Sequence, residues 1–200
     1  MFIHIPDLTD KGITTSHPTE YLDLMPTLAE AAMGVIVPPC PRGVGASRKV
    51  KLCTHGTSLL PLISDPTTEV KLAAYSQYPR GYVKPGEKDH YLDELDPFGP
   101  ISSQISSGST PSPSACLTKH CTMGYSMLTR VNGTEYRYTE WVDFNTKVSG
   151  GPDWDRNVGT ELYHHGDDPL ENINIAASAA PALLAKLSKR LHQHPVLALA

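Results

Sequence analysis

The sequence has little of what several large function classes require. Its 17 lysines and arginines stand against 21 aspartates and glutamates, a formal charge of −4 at neutral pH, so the cationic field that draws a protein onto nucleic acid is missing. Nucleic acid is not an expected partner. No apolar run approaches the ~20 residues of a membrane-crossing helix, and a membrane is not an expected partner either. The opening Met1 to Pro6 has no basic flank and no small-residue cleavage site, so no signal peptide is expected in this chain. At 200 residues the length suits one domain, or one domain with a tail, and excludes a multi-domain machine. What the sequence does have is a 40% apolar fraction, enough for a core, with 18 prolines and 15 glycines that predict many turns.

Four cysteines decide little by number. Their spacing suggests two local loops, Cys40 with Cys53 and Cys116 with Cys121, and neither reads as a zinc site. Each pair sits among prolines, glycines or serines, where a covalent staple restrains a segment with little apolar surface of its own. That use of cysteine belongs to an oxidising compartment. For Cys40 and Cys53 a bridge is the preferred reading, with free thiols as the alternative; the pairing of Cys116 and Cys121 stays open.

Along the chain, Phe2 to Ile5 reads as a short buried strand ended by Pro6, as though the chain began inside a core. A helix is expected from Glu20 to Met33, capped by Pro18 or Thr19, with Leu22, Met25, Leu28, Ala29 and Ala32 on its buried face and Gly34 as its stop. Pro26 is tolerated there if a helical first turn begins beside it. Val35 to Pro41 is extended and Pro41 to Lys51 is a connecting loop. Val70 to Ser76 reads as a strand. Gly86 to Ser114 turns polar, and Pro100 to Ser114 is expected to be disordered. Met123 to Arg130 and Glu135 to Val142 flank Asn132-Gly133, the preferred two-residue hairpin turn. In that hairpin Trp141 reads as core-seeking, and its tyrosines and tryptophan as core in preference to a sugar-stacking platform. Glu161 to His164 adds a third short strand. Asn174 to Ala179 and Pro181 to His192 read as helical, the latter with Leu183, Leu184, Leu187 and Leu191 in one stripe. The fold class is therefore α+β, a small antiparallel β-sheet packed against a C-terminal helix.

The search for chemistry returns few candidates. No G-x-S-x-G turn is present, which removes serine hydrolysis of the nucleophile-elbow type. His164-His165 with Asp167-Asp168 has metal-ligand residue types, but neighbours in a strand face opposite ways, and a polar strand end leading into an Asp-Pro turn is the preferred reading. Arg48, Lys49 and Lys51 could attract an acidic glycan, although such a run is more often a solvated loop. Arg80, directly after a strand, could hold a carboxylate or sulfate with its guanidinium fork, or equally fix the strand end in an ion pair.

Several stretches together resemble the C-terminal part of a sulfatase: Tyr21 to Gly34 with its Pro26-Thr27-Leu28 centre, Val37-Pro38-Pro39-Cys40, Lys51 to Gly56, Ala74 to Arg80, Met123 to Ser126, Tyr136 to Trp141, and Glu161-Leu162-Tyr163 before Asp168-Pro169. The Ser76-Gln77-Tyr78-Pro79-Arg80 run and the two-cysteine loop are similar to the iduronate branch of that family. The stretch from Gly86 to His120 departs from it as an insertion, and the alanine-rich end has no counterpart.

This resemblance implies an alkaline-phosphatase-like sulfatase fold of which the chain is the C-terminal subdomain. It divides the chain into a core-domain remnant at 1–37, a connector at 38–68 with the disulfide loop, and the subdomain at 69–200 with a low-complexity insertion near 86–120. It implies sulfate ester hydrolysis on sulfated iduronate in heparan or dermatan sulfate, a missing N-terminal sulfatase domain as partner, sulfated glycosaminoglycan as substrate, and a lysosomal or secreted location; in a secreted chain Asn132 of Asn132-Gly133-Thr134 is a glycosylation acceptor, and Arg80 stays a candidate substrate contact by its position after the strand. The family's nucleophile is a formylglycine made from C/S-x-P-S/A-R, with calcium polarising the sulfate. Two positions after Cys40, Cys53, Cys116 and Cys121 stand Arg42, His55, Thr118 and Met123, never proline. Ser109-Thr110-Pro111-Ser112 is followed by Pro113 where arginine is needed. No calcium ligands or catalytic residues are therefore expected in this chain, and without them the remaining groups cannot supply the ~8–23 kcal/mol of barrier lowering typical of enzymes. A stand-alone module for acidic glycans, or a truncated product without function, is the alternative.

Overall fold

The computed structural model describes residues 1–41, 44–80, 121–144 and 152–193. The polar stretch near 86–120, the expected disorder at 100–114 and Cys116 lie outside the described residues.

Four strands, β1 (Ala73–Arg80), β2 (Cys121–Val131), β3 (Thr134–Phe144) and β4 (Pro152–His164), form one antiparallel sheet in the order β1-β2-β3-β4. Asn132 and Gly133 both have positive φ, 53° and 83°, which is the turn whose twist matches the flanking strands. Alternation then sends one row of side chains, Tyr75, Met127, Tyr138 and Leu162, across all four strands on one face. Against this face packs a helix at Pro181–His192. Its Leu187 and Leu191 are fully buried with Met127, Val142 and Leu162, while Leu183 and Leu184 pack at the margin. Pro181 opens this helix where its missing N–H costs nothing. Residues 174–179 form turns and no helix. Their course is fixed by Asn174, whose Oδ1 accepts from the Leu162 and Ala176 amides and whose Nδ2 donates to the Thr160 carbonyl. Asp168 likewise accepts from the Ile173 amide at 2.8 Å. The architecture is α+β, with a C-terminal helix over an antiparallel sheet.

The N-terminal third departs from expectation in two respects. Phe2 to Ile5 is no strand, and Phe2 is 94% exposed; an apolar run makes a buried strand only where another strand offers it a ladder. A 3₁₀ turn at Tyr21–Asp23 leads into α1 (Leu24–Met33), which Gly34 ends in the left-handed region at φ 64°. Pro26 falls in the first turn, where no intrahelical donor is lost. The buried side of α1, however, is Pro26, Thr27 and Ala29, whereas Leu22, Met25 and Leu28 are exposed. The polar side is inward because Thr27 has two backbone partners: it donates to the Asp23 carbonyl at 2.5 Å and accepts from the Leu59 amide at 2.9 Å.

Two short helices, α2 (Val44–Ser47) and α3 (Leu60–Ser64), complete the connector; the C-terminal helix is α4. Cys40 and Cys53 are joined by a disulfide. Beside it Pro39 and Thr54 make a parallel bridge, with the Cys40 amide donating to the Thr54 carbonyl. Gly56 passes against the 3₁₀ turn so closely that a Cβ there would overlap the Leu22 carbonyl.

Candidate functional site

Three polar constellations stand on the faces of the sheet and at the turn after β4. One lines a cavity of about 540 Å³ between α4 and strands β3 and β4, bounded by Tyr138, Glu140, Trp154, Ser188 and His192. Glu140 is 3% exposed although charged. Burial without partners would be costly, and its two oxygens are satisfied separately: Tyr138 Oη donates to Oε1 at 2.7 Å, and His192 Nε2 lies 2.8 Å from Oε2. Trp154 stacks on the His192 ring at 3.9 Å. Burial, reinforced by the bond to Glu140, pushes the Tyr138 phenol far above its ordinary range, and burial alone pushes Tyr125 up to about 12. Ser188 Oγ stands 3.5 Å from the same His192 Nε2 that meets Glu140. A nucleophilic triad needs the acid and the serine on opposite ring nitrogens; here both claim one, so these residues hold α4 to the sheet and cannot relay a proton from Ser188 to Glu140.

The second constellation joins the end of β4 to the start of β3. His165 places Nδ1 3.2 Å from Glu135 and Nε2 2.7 Å from Glu171, and Arg137 Nε donates to the same Glu171 oxygen at 2.5 Å. His164 turns away, to Asp167 at 3.1 Å and edge-on against the Tyr136 ring. Among the described residues no group of three or more His, Cys, Asp or Glu is arranged to hold a metal ion.

The third is a shallow depression of about 270 Å³ on the sheet face away from α4, with Tyr78, Gly124, Trp141 and Glu161 in its lining. Trp141 is not in the core. Strand parity puts Tyr138, Glu140 and Val142 on the helix side and Trp141 on the other, where its indole lies over Gly124 and Nε1 donates to Glu161 at 2.9 Å.

Of the residues singled out in the sequence, His164, His165 and Asp167 gather at the second constellation and Trp141 at the third, and the remaining candidates fall elsewhere. Arg80 ends β1 opposite Thr122, and its side chain lies outside the described residues. Arg48, Lys49 and Lys51 are exposed beyond α2, and Asn132 is exposed at the hairpin tip. Glu140, Trp154, Ser188 and His192 were not marked by sequence reasoning; a glutamate on the apolar parity of a strand was the available signal.

No family model matches the chain. Human iduronate 2-sulfatase is 34% identical over 178 residues, which is 84% of this chain and 26% of that protein. Mouse iduronate 2-sulfatase is 31% identical over 179 residues, 84% of this chain and 27% of the relative. The chain is similar to a portion of iduronate 2-sulfatase. It spans about a quarter of the length of these relatives, consistent with a C-terminal portion. The motifs of the resemblance lie on structural parts of the fold: the Pro-Thr-Leu centre in α1 and Glu161 to Pro169 on β4 and the turn after it, both general to sulfatases, and the two-cysteine loop of the iduronate branch at its disulfide.

Proposed function

We propose that this chain is the C-terminal, non-catalytic part of an iduronate 2-sulfatase-like sulfuric ester hydrolase, and that it forms one wall of a cleft for sulfated iduronate in heparan or dermatan sulfate. The observation that carries the reading is the asymmetry of the match, 84% of this chain against 26% of the relative. The exposed apolar side chains of Leu22, Met25 and Leu28, with Val35 and Ile36 beyond the helix, support it: they form a surface suited to seat against the remaining sulfatase domain. That domain would bring the nucleophile and the calcium site. Arg80 would stand at the cleft as a sulfate or carboxylate contact, and Asn132 would carry a glycan in a lysosomal or secreted protein.

Co-expression with an iduronate 2-sulfatase lacking the corresponding C-terminal portion tests this. The pair is expected to release inorganic sulfate from a sulfated iduronate substrate, and neither chain to do so alone. An inactive mixture with both chains folded would overturn the proposal, as would sulfate release by the isolated chain.

A further inference from the structure

We propose that His165 is a pH-sensitive clasp, closed when its ring carries two protons, that ties the turn after β4 to the start of β3. The geometry of the ring requires it. Nδ1 faces Glu135 and Nε2 faces Glu171. An ionised carboxylate can only accept, and a neutral imidazole has one N–H to give, so both contacts are satisfied together only by the imidazolium. Removing one proton sets a nitrogen lone pair against a carboxylate oxygen, and that side of the clasp opens.

Charged groups of both signs surround the ring. From β3 come Glu135 and Arg137; from the turn come Asp167, Asp168 and Glu171; from β4 come Tyr163 and His164; and from β2 Arg130 reaches Glu135 at 3.4 Å. Burial raises the Glu171 pKa, but hydrogen bonds from Arg137 and His165 outweigh it and hold the carboxyl below its ordinary value. Glu171 is therefore an acceptor across the range in which histidine titrates. The clasp spans the turn that carries Leu170 and Ile173, 81% and 66% exposed; the His165 amide donates to the Glu135 carbonyl whatever the ring's charge, so the ring adds a pH-dependent increment to how firmly an apolar, outward segment is held. A protein working in acid would have this segment fixed, and one near neutrality would have it loosened. The inference goes beyond the proposed function, because the clasp belongs to this chain whatever joins it.

The test uses the full chain. Long-range ¹⁵N–¹H spectra, assigned with His165→Gln, are expected to show both His165 ring nitrogens protonated at about pH 5 and one at about pH 8. Amide protection over residues 165–174, corrected for intrinsic exchange, is expected to fall about five- to tenfold over the same interval. In Glu135→Gln the fall should disappear, since the amide can donate to the deprotonated nitrogen. A single protonated ring nitrogen at the acid end would overturn the proposal, and so would an equal fall in wild type, His165→Gln and Glu135→Gln. No sulfatase partner is needed, so this result and the complementation result stand or fall separately.

Discussion

Lys71 Nζ lies 2.7 Å from Asp23 Oδ1, a carboxylate with no exposed side-chain surface, and the same ammonium meets Glu20 at 2.6 Å. Asp23 also accepts from the Thr57 amide and from the Glu20 amide, and Glu20 accepts from the Tyr75 amide at the edge of β1. One lysine thus bridges two carboxylates that fasten the α1 entry, the connector and the sheet together.

Replacing that lysine leaves a buried charge unpaired. Lys71→Met should cost about 3–5 kcal/mol, and Lys71→Met with Asp23→Asn should cost measurably less than the two single changes summed. Urea denaturation of the four proteins checks this; additive losses would show that the pair does not couple.

On the sheet face that α4 covers the decisive contacts are apolar. Leu187 and Leu191 of α4 have no exposed surface, so Leu187→Ala should lower stability by about 2–5 kcal/mol. Ala182, exposed on the same helix, provides the contrast: Ala182→Ser should change the midpoint little. Thermal unfolding of both variants distinguishes a docked helix from a peripheral one.

Gly124 makes room for an indole. A Cβ there would stand 2.7–2.9 Å from three ring atoms of Trp141, closer than such contacts occur. Gly124→Ala should therefore cost about 1–3 kcal/mol through displacement of the ring. Shrinking the ring in Gly124→Ala with Trp141→Leu should recover part of the loss; no recovery would place the cause in the backbone.

The Cys40–Cys53 bridge has a sequence separation of 13, and closing a loop of that size contributes about 3 kcal/mol by restricting the unfolded chain. Cys40→Ala with Cys53→Ala should lower the denaturation midpoint accordingly, while adding reductant should then have little further effect. A double variant as stable as the parent would contradict this.

Acid should act on the turn after β4. Hydrogen bonds from the Asn172 and Ile173 amides hold the Asp168 carboxyl below 3.8, and Glu171 lies below 4.5 despite the opposing effect of burial. Depressed folded-state values mean stability that is complete above the unfolded pKa and is lost as pH falls through the folded one. Amide protection over residues 165–174, corrected for intrinsic exchange, should thus fall below about pH 4, and Asp168→Asn should remove part of that acid sensitivity.

The parts legible in the sequence were those fixed by local chemistry. Asn132-Gly133 specifies its turn through two positive φ angles, Gly34 specifies the end of α1, and the leucine stripe specifies the face of α4. What escaped was fixed by distant partners. Glu140 turns inward because His192, fifty-two residues on, awaits it, and that reverses the face assigned to Trp141. In α1, Thr27 turns inward for the Leu59 amide, leaving the leucines outside; hydrophobic periodicity marks an apolar face without saying which surface covers it. The long β4 was reduced to Glu161–His164 because its first half, Pro152 to Gly159, is polar and half-exposed at the sheet edge, with no apolar alternation to mark it.

The stretch from Asp168 to Asn174 carries a further implication for reading such sequences. Its Asp168 and Asn174 side chains hold backbone amides of a return path, so folding by itself gives them a use. A motif drawn from this stretch marks architecture, and chemistry has to be sought in other residues.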